Sequence, residues 1–466
     1  MAVLSKWMEV SIPYKCYEVI HTWEPDCNLV AVEAGGIAFY QALKLYAPLY
    51  LVTYLLKRQF TLQATIHSVR NLLISSSFLG YYGFYLNLFS CLTRKLMGRY
   101  YNVFSSYFPA FAASFLCYFV ERENRRRALA VYLANAATET ALRMGVSRGI
   151  IKPYPNAEVY LFSVTMAAFF YFIKKWGFSD DAVGGIIKFL FGKDEAKRKI
   201  EHESRKKSRH VANQDLLQKT SNGITSADDF RVTLATFFHK ICSSKHNSCN
   251  HTSTCIMYCL EGFFRPFLMG YFALSVIRCL SMRKELILSP SLFLSLLTDK
   301  RNFNLGLFLG GFGGTFKIFN CLLRWCIGKD LPIYAVPAAL LGGLCMKFFP
   351  SSTISLYCFW KLLELGYLSG IEAGILPHVK GFKPLLFSAS TALLLHASAL
   401  EPHNLKPSYW RFLQQITNNR ISEFNRRTLD IFGTHASKMR PDFWPKLDHR
   451  CTSQRFKEIA VLWLTP

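Results

Sequence analysis

The sequence predicts an all-α fold, a multi-pass membrane helical bundle of about eight to ten transmembrane segments in two homologous halves. Composition is the first ground. The 466 residues are 51% hydrophobic and 15% aromatic, with only 18% charged. Soluble domains carry about 25% charged residues. The second ground is distribution: the charges cluster between long apolar runs, and mean hydropathy is +0.17. The third is repetition. The apolar runs come as five, then a long polar stretch, then five more.

Residues 1–34 form an N-terminal segment with Cys16, His21 and Cys27. It carries Lys6, Glu9, Lys15 and Glu18 and no apolar h-region, which argues against a cleaved signal peptide. The first transmembrane half, 35–173, has apolar runs near 35–56, 72–92, 104–120, 128–146 and 157–173. Residues 174–241 hold GKDEAKRKIEHESRKKSRH and a Ser/Asn/Thr/Asp-rich stretch, which reads as a basic flexible linker. A second Cys/His segment, 242–255, leads into the second half, 256–400, with runs near 256–280, 303–326, 333–350, 352–368 and 384–400. A basic polar tail covers 401–466, and its LKPSYWRFL stretch fits an amphipathic helix. The net charge of +25 lies mostly in loops and tail. Without a nucleic-acid-binding motif, that charge points to cytosolic loops and anionic lipid, not to nucleic acid. A basic linker and a basic tail on one side require an even number of crossings between them, so one run per half is expected to be re-entrant or interfacial, giving about eight spans. If all ten cross, the halves are inverted repeats.

The halves match in register. Shifting by 225 residues lays YLANAATETALRMGVSRG, Tyr132 to Gly149, on YCFWKLLELGYLSGIEAG, Tyr357 to Gly374. Glu139 then falls on Glu364, Gly145 on Gly370 and Gly149 on Gly374. Upstream, a shift of 230 places Gly80 on Gly310, Gly83 on Gly313, Cys91 on Cys321, Arg94 on Arg324 and Gly98 on Gly328. Apolar bias would align Leu with Phe; it would not align a glutamate, an arginine, a cysteine and several glycines in order.

Each matched glutamate has a cation one helical turn away, Arg143 at i+4 from Glu139 and Lys361 at i−3 from Glu364. A lone charge at mid-membrane costs roughly 2.5–3.5 kcal/mol on insertion scales. These pairs are therefore either ion-pair staples or part of a polar groove at the repeat interface. Ala137, Ala141, Gly145 and Gly149, and likewise Gly366, Gly370 and Gly374, form ridges of small residues suited to close helix packing. Gly306, Gly310 and Gly314 form a third such ridge within GLFLGGFGGTFKIFNCLLRWCIGKD.

That last stretch, ending in Cys321, Arg324, Gly328, Lys329 and Asp330, is similar to the inner-membrane translocase and small peroxisomal membrane protein superfamily. Across the whole chain, HTWEPDC, NAATETALRMGVSRG, LKPSYWRFL and LDIFGTHASK resemble the transmembrane protein 135 family, also called peroxisomal membrane protein 52. The resemblance implies peroxisomal and mitochondrial membranes, a role in fission and fusion balance, peroxisome organisation and lipid metabolism, and no catalytic residues. Partners expected on this basis are membrane lipids, a dynamin-related fission GTPase and the peroxisomal membrane-protein import receptor; homo-oligomer formation stays open.

Both halves open with cysteine and histidine. Cys249, His251, Cys255 and Cys259, with Cys242 and His246 upstream, admit tetrahedral zinc, a disulfide in an oxidising compartment, or free thiols. No other cofactor is expected. No P-loop, G-x-S-x-G elbow or H-E-x-x-H is present, so the chain is not expected to be an enzyme. The competing functions are a non-catalytic organelle membrane protein, a transporter, channel or lipid translocator using a polar groove, and a scaffold that recruits a fission GTPase.

Overall fold

The structure, a computed structural model, describes residues 10–57, 61–176, 185, 249, 251, 253–281, 295, 297–329, 331–379 and 381–458. The expected linker lies almost wholly outside the described residues, and so do Cys242, His246 and Asp330. After strand β1 (Ser11–Ile12) and a single turn, α1 (Cys16–Val19), the first half runs through five helices. These are α2 (Cys27–Lys57), α3 (Leu62–Met97), α4 (Tyr107–Tyr118), α5 (Glu123–Ser147) and α6 (Ala157–Trp176). Strand β2 (Tyr100–Tyr101) pairs antiparallel with β1. The second half repeats the series as α7 (Cys255–Ser281), α8 (Lys300–Ile327), α9 (Ala335–Gly343, flanked by 3-10 turns), α10 (Ser352–Glu372) and α11 (Phe382–Leu400). The tail forms α12 (Pro407–Ile416), the short α13 (Arg426–Leu429) and several 3-10 turns.

The register found in the sequence is repeated in the backbone. Gly98 ends α3 and Gly328 ends α8, each in the left-handed region (φ 69° and 70°) with its N–H on the carbonyl of Arg94 or Arg324. Gly149 and Gly374, both at φ 71°, follow the ends of α5 and α10. In both places the next two amides return to one carbonyl, that of Gly145 or Gly370. A side chain with a Cβ is disfavoured at these left-handed ends, which is why glycine stands there in both halves.

The chain forms two compact units, and they cut across the sequence halves. One comprises Met1–Pro153 and Tyr367–Pro466, the other Tyr154–Gly366. In the first unit, α2 and α3 lie against each other, with Gly83 on the Ala34 carbonyl and Gly80 on Phe39. The fifth helix packed there is α11, from the second half, set against α4 and α5 around Phe78, Leu133, Phe387 and Leu394. In the second unit, α7 and α8 make the corresponding pair. The fifth helix is α6, from the first half, with Phe162 and Phe170 among Phe308, Phe312 and Phe316. The halves have thus exchanged their last helices.

Three helical segments among the described residues are long and apolar enough to cross a membrane: Ala157–Lys175, Cys255–Cys279 and Lys300–Ile327. On α7, Met257, Leu260, Phe264, Leu268, Phe272 and Val276 are all exposed at three- and four-residue spacing, a continuous stripe suited to lipid. Two of the apolar runs read as segments are short helices instead. The 12 residues of α4 reach about 18 Å, and α9 is shorter still, against a hydrocarbon core of about 30 Å. The amphipathic tail helix α12 does not lie free. Its apolar face, Tyr409, Leu413 and Ile416, is buried in the first unit, where α12 packs on α2.

Candidate metal centres

In the first unit four side chains from separate elements converge. Cys16 stands at the start of α1, His21 in the turn after it, Cys27 at the start of α2, and Cys91 near the end of α3. Their ligand atoms all lie within 4.8 Å of one another. The Cys27 and Cys91 sulfurs are each 3.5 Å from His21 Nε2. The other ring nitrogen, Nδ1, is 2.7 Å from the Glu24 carbonyl oxygen and donates to it, which fixes the tautomer and leaves Nε2 as the free lone pair.

The second unit repeats the arrangement with Cys249, His251, Cys255 and Cys321. Here Cys321 Sγ is 3.6 Å from His251 Nε2, Cys255 Sγ is 3.9 Å from Cys249 Sγ, and His251 Nδ1 sits 2.7 Å from the Ser253 carbonyl oxygen. Tyr258 stacks on the His251 ring at 4.3 Å. The set differs from the one read from spacing. Cys259 lies a full turn along α7 beyond Cys255 and packs beside the cluster, while the fourth position belongs to Cys321 on α8. Sequence spacing weighs neighbours in the chain, and this ligand comes from a packed helix. The signal was nonetheless present, because Cys91 and Cys321 are matched positions of the repeat.

The spacing fits a tetrahedral thiolate–imidazole site. Zinc–sulfur bonds of about 2.3 Å and zinc–nitrogen bonds of 2.0–2.1 Å place sulfurs roughly 3.8 Å apart and sulfur and nitrogen roughly 3.6 Å apart. Soft thiolates with imidazole select zinc over hard cations. All four positions come from protein, so either set is closed to a substrate. Three thiolates on a divalent ion leave one net negative charge, and each set has an arginine one turn past its helix cysteine. Arg94 donates to the carbonyls of Tyr14 (2.8 Å) and Pro13 (3.0 Å), which holds the segment bearing Cys16. Arg324 is buried at the matched position. In both Cys-x-x-Arg pairs, Cys91–Arg94 and Cys321–Arg324, the cysteine belongs to a candidate set and the arginine brings a positive charge near it. The Cys16 thiol, ordinarily near 9, is drawn down to about 3, chiefly by hydrogen bonds with Cys27 and Cys91. All described cysteines are free thiols.

The intramembrane candidates resolve as pairs within their own helices. Arg143 Nη2 donates to Glu139 Oε1 at 2.7 Å, and Lys361 Nζ to Glu364 Oε2 at 2.8 Å. The two differ in shielding, since the Arg143 side chain is 41% exposed and that of Lys361 only 13%. Glu364→Gln is therefore expected to cost about 3–5 kcal/mol by taking the carboxylate charge away from a shielded ammonium. Glu139→Gln is expected to cost roughly 1–3 kcal/mol, because Arg143 can turn to solvent. Thermal melts of the two purified variants in detergent check the order; equal losses contradict it.

The glycine ridges divide. Gly306, Gly310 and Gly314 face Phe267 and Phe263 of α7 at near-contact distance. Gly145 and Gly370 do not face a neighbouring helix: a Cβ on either meets the side chain of Ile151 or Leu376, folded back from the loop that follows, at 2.7 Å. Gly366 has open space, and Gly149 and Gly374 are helix ends. Lys329 is exposed just past the end of α8.

Residues 13–146 match the family model for the N-terminal cysteine-rich region of Transmembrane protein 135. The matched span holds Cys16, His21, Cys27 and Cys91 together. No solved structure matches the chain.

Proposed function

We propose, because residues 13–146 match the cysteine-rich region of transmembrane protein 135, that the chain is a non-catalytic, multi-pass organelle membrane protein of that family whose two units are each pinned by a structural zinc ion. The observation that carries this reading is the duplicated, closed Cys3His set, with its histidine tautomer fixed by a backbone carbonyl in both units. A closed site organises a fold; it offers no coordination position for catalysis. Cys16, His21, Cys27 and Cys91 would hold one ion, and Cys249, His251, Cys255 and Cys321 the other. On the family resemblance, the protein works in peroxisomal and mitochondrial membranes, in lipid metabolism, peroxisome organisation and the balance of fission and fusion. A dynamin-related GTPase and the membrane-protein import receptor are its expected partners. The similarity of Gly306–Asp330 to the translocase superfamily belongs to the same proposal.

The test is metal content. Full-length protein purified in detergent without added metal should carry about two zinc ions per chain and lose them to a strong chelator or on acidification, since thiolate ligands must be deprotonated. The sign follows from the ligands: protons compete with the metal for each thiolate, so affinity is held at neutral and alkaline pH and falls as pH drops. Folded protein free of metal would refute the proposal.

A further inference from the structure

Two exposed features of the first unit meet where α4 turns into α5. One is apolar. Leu62, Ile66, Val69 and Leu73 recur along α3 at four- and three-residue spacing, and all four are exposed. They form an uncovered stripe about 16 Å long at 1.5 Å per residue. Phe119 and Val120, in the turn after α4, are exposed as well. With Ile66, Val69 and Leu73 they line an open furrow of about 630 Å³.

The other feature is charged, since Arg70, Arg122 and Arg126 line the same furrow. Buried Glu121 organises this edge, accepting from the Arg122 amide at 2.9 Å and from Arg125 Nη1 at 3.4 Å. Arg126 Nε donates to the Glu121 carbonyl and its Nη2 to that of Phe119, both at 2.6 Å, and its guanidinium lies over the Tyr118 ring. Arg122 lies over the Tyr50 ring and donates to its hydroxyl. Its Nε is buried 3.7 Å from Glu121 Oε1 and has no hydrogen-bond partner among the described residues. Those guanidiniums are held in place, but little neutralises them. Among the described residues neither Arg70 nor Arg126 meets a carboxylate. Between Glu33 and Glu121 the sequence holds no aspartate or glutamate, so this part of α3 brings no acid. Along it, the turn and the first turn of α5, Arg70, Arg122, Arg125 and Arg126 are offset only by Glu121 and the exposed Glu123.

A phosphate group supplies the missing charge. Arginine pairs with phosphate oxygens through two parallel hydrogen bonds, and basic pockets beside membrane helices hold anionic head groups. A soluble phosphate would leave the stripe bare, and an uncharged lipid would leave the surplus of positive charge. The stripe is as long as one leaflet of a hydrocarbon core about 30 Å thick is deep. We infer that this furrow seats an anionic phospholipid, its phosphate held by Arg70, Arg122 and Arg126 and one acyl chain laid along Ile66, Val69 and Leu73. The inference rests on the membrane reading of the proposed function and gives it a lipid class and a place.

The experiment uses full-length protein in nanodiscs with phosphatidylglycerol or phosphatidylcholine, each carrying a photoreactive acyl chain. The expected result is saturable labelling of residues 62–77 and 119–126, at least about five-fold stronger with phosphatidylglycerol. Arg70→Gln, at an exposed position, should weaken that labelling about five-fold. Ile66→Asn, which interrupts the stripe, should weaken it about three-fold. Lys152→Gln, which removes an exposed charge outside the furrow, should leave it unchanged. Thermal melts identify any variant that fails to fold, and Arg70→Gln alone then decides. Equal labelling by the two lipids, or labelling indifferent to Arg70→Gln, overturns the inference. Displacement by excess glycerol phosphate would make the ligand a soluble phosphate and overturn the lipid assignment. Failure to enter nanodiscs would instead overturn the membrane reading, and the inference with it.

Discussion

Cys91→Ala is expected to halve the zinc carried by the purified chain and to release the C-terminal tail to protease. Structural zinc is worth about 10–16 kcal/mol in apparent binding free energy. A whole domain is typically stable by only about 5–15 kcal/mol. No single packing contact approaches that. The tail is the sensitive reporter because it is built onto the segment the metal would hold. Buried Glu18 accepts from the amides of Lys15 (2.6 Å) and Ser453 (2.5 Å). The Asn425 amide donates to the Val19 carbonyl at 2.9 Å, its side chain donates to that of Glu18 at 3.1 Å, and the Asp448 amide reaches the Tyr17 hydroxyl at 2.8 Å. Losing the anchor at Cys16, His21 and Cys27 loosens all of these together. Cys321→Ala should also remove one zinc but leave the tail protected, since its cluster belongs to the other unit. Cys117→Ala is the control for losing a buried thiol outside either cluster, and should keep both ions. Metal emission spectroscopy and limited proteolysis read the result; unchanged zinc in Cys91→Ala would sink the assignment.

Gly313→Leu is expected to separate α7 from α8. A Cβ at Gly313 would be driven into the Gly262 carbonyl oxygen, and one at Gly310 would stand 2.7 Å from that of Phe263. Both obstacles are backbone, so no rotamer change relieves them. Overpacking of a rigid contact costs about 1–3 kcal/mol, and the helices must also give up the flanking aromatic contacts. A loss of roughly 3 kcal/mol or more is expected, seen as a lowered melting temperature and reduced abundance. Gly366→Leu, facing open space, should leave both near wild type. Similar losses at Gly313 and Gly366 would show that close approach is not what the glycines provide.

Particular residues show what the sequence made legible. The repeat was readable because polar and glycine positions align, and those residues carry information that apolar ones do not. The matched glycines Gly98 and Gly328 prove to end α3 and α8 in the same way. The first metal set was visible as Cys16, His21 and Cys27, and its fourth member was visible only through the match of Cys91 with Cys321. The small-residue ridge of α8 was read from its four-residue spacing, and its glycines do meet α7. The same spacing in α5 and α10 serves another purpose: the chain after each helix folds back, and Ile151 or Leu376 occupies the space a side chain would take. Spacing reports which residues share a face and says nothing about what arrives to cover it. The shortness of α4 escaped for a related reason, since an apolar run measures hydrophobicity and not the length of chain that stays helical. The pairing of α11 with α4 and α5 was beyond reach, because its apolar pattern would suit any neighbour.

The exchange of last helices makes each half an incomplete object. A fragment ending in the linker would retain α6 without the helices that cover Phe162 and Phe170, and would leave α4 and α5 without α11. Expressed alone, either half exposes the apolar face of its last helix and an empty helix slot, a combination that invites copies of a chain to pair by swapping an element. Co-expressed, the two fragments should rescue each other, while neither separately should be recovered intact. The covalent linker therefore acts as a tether that raises the local concentration of two mutually dependent pieces. Synthesis carries a corresponding delay: the first unit cannot close until residue 400 has emerged, so α4 and α5 spend most of translation waiting for their partner.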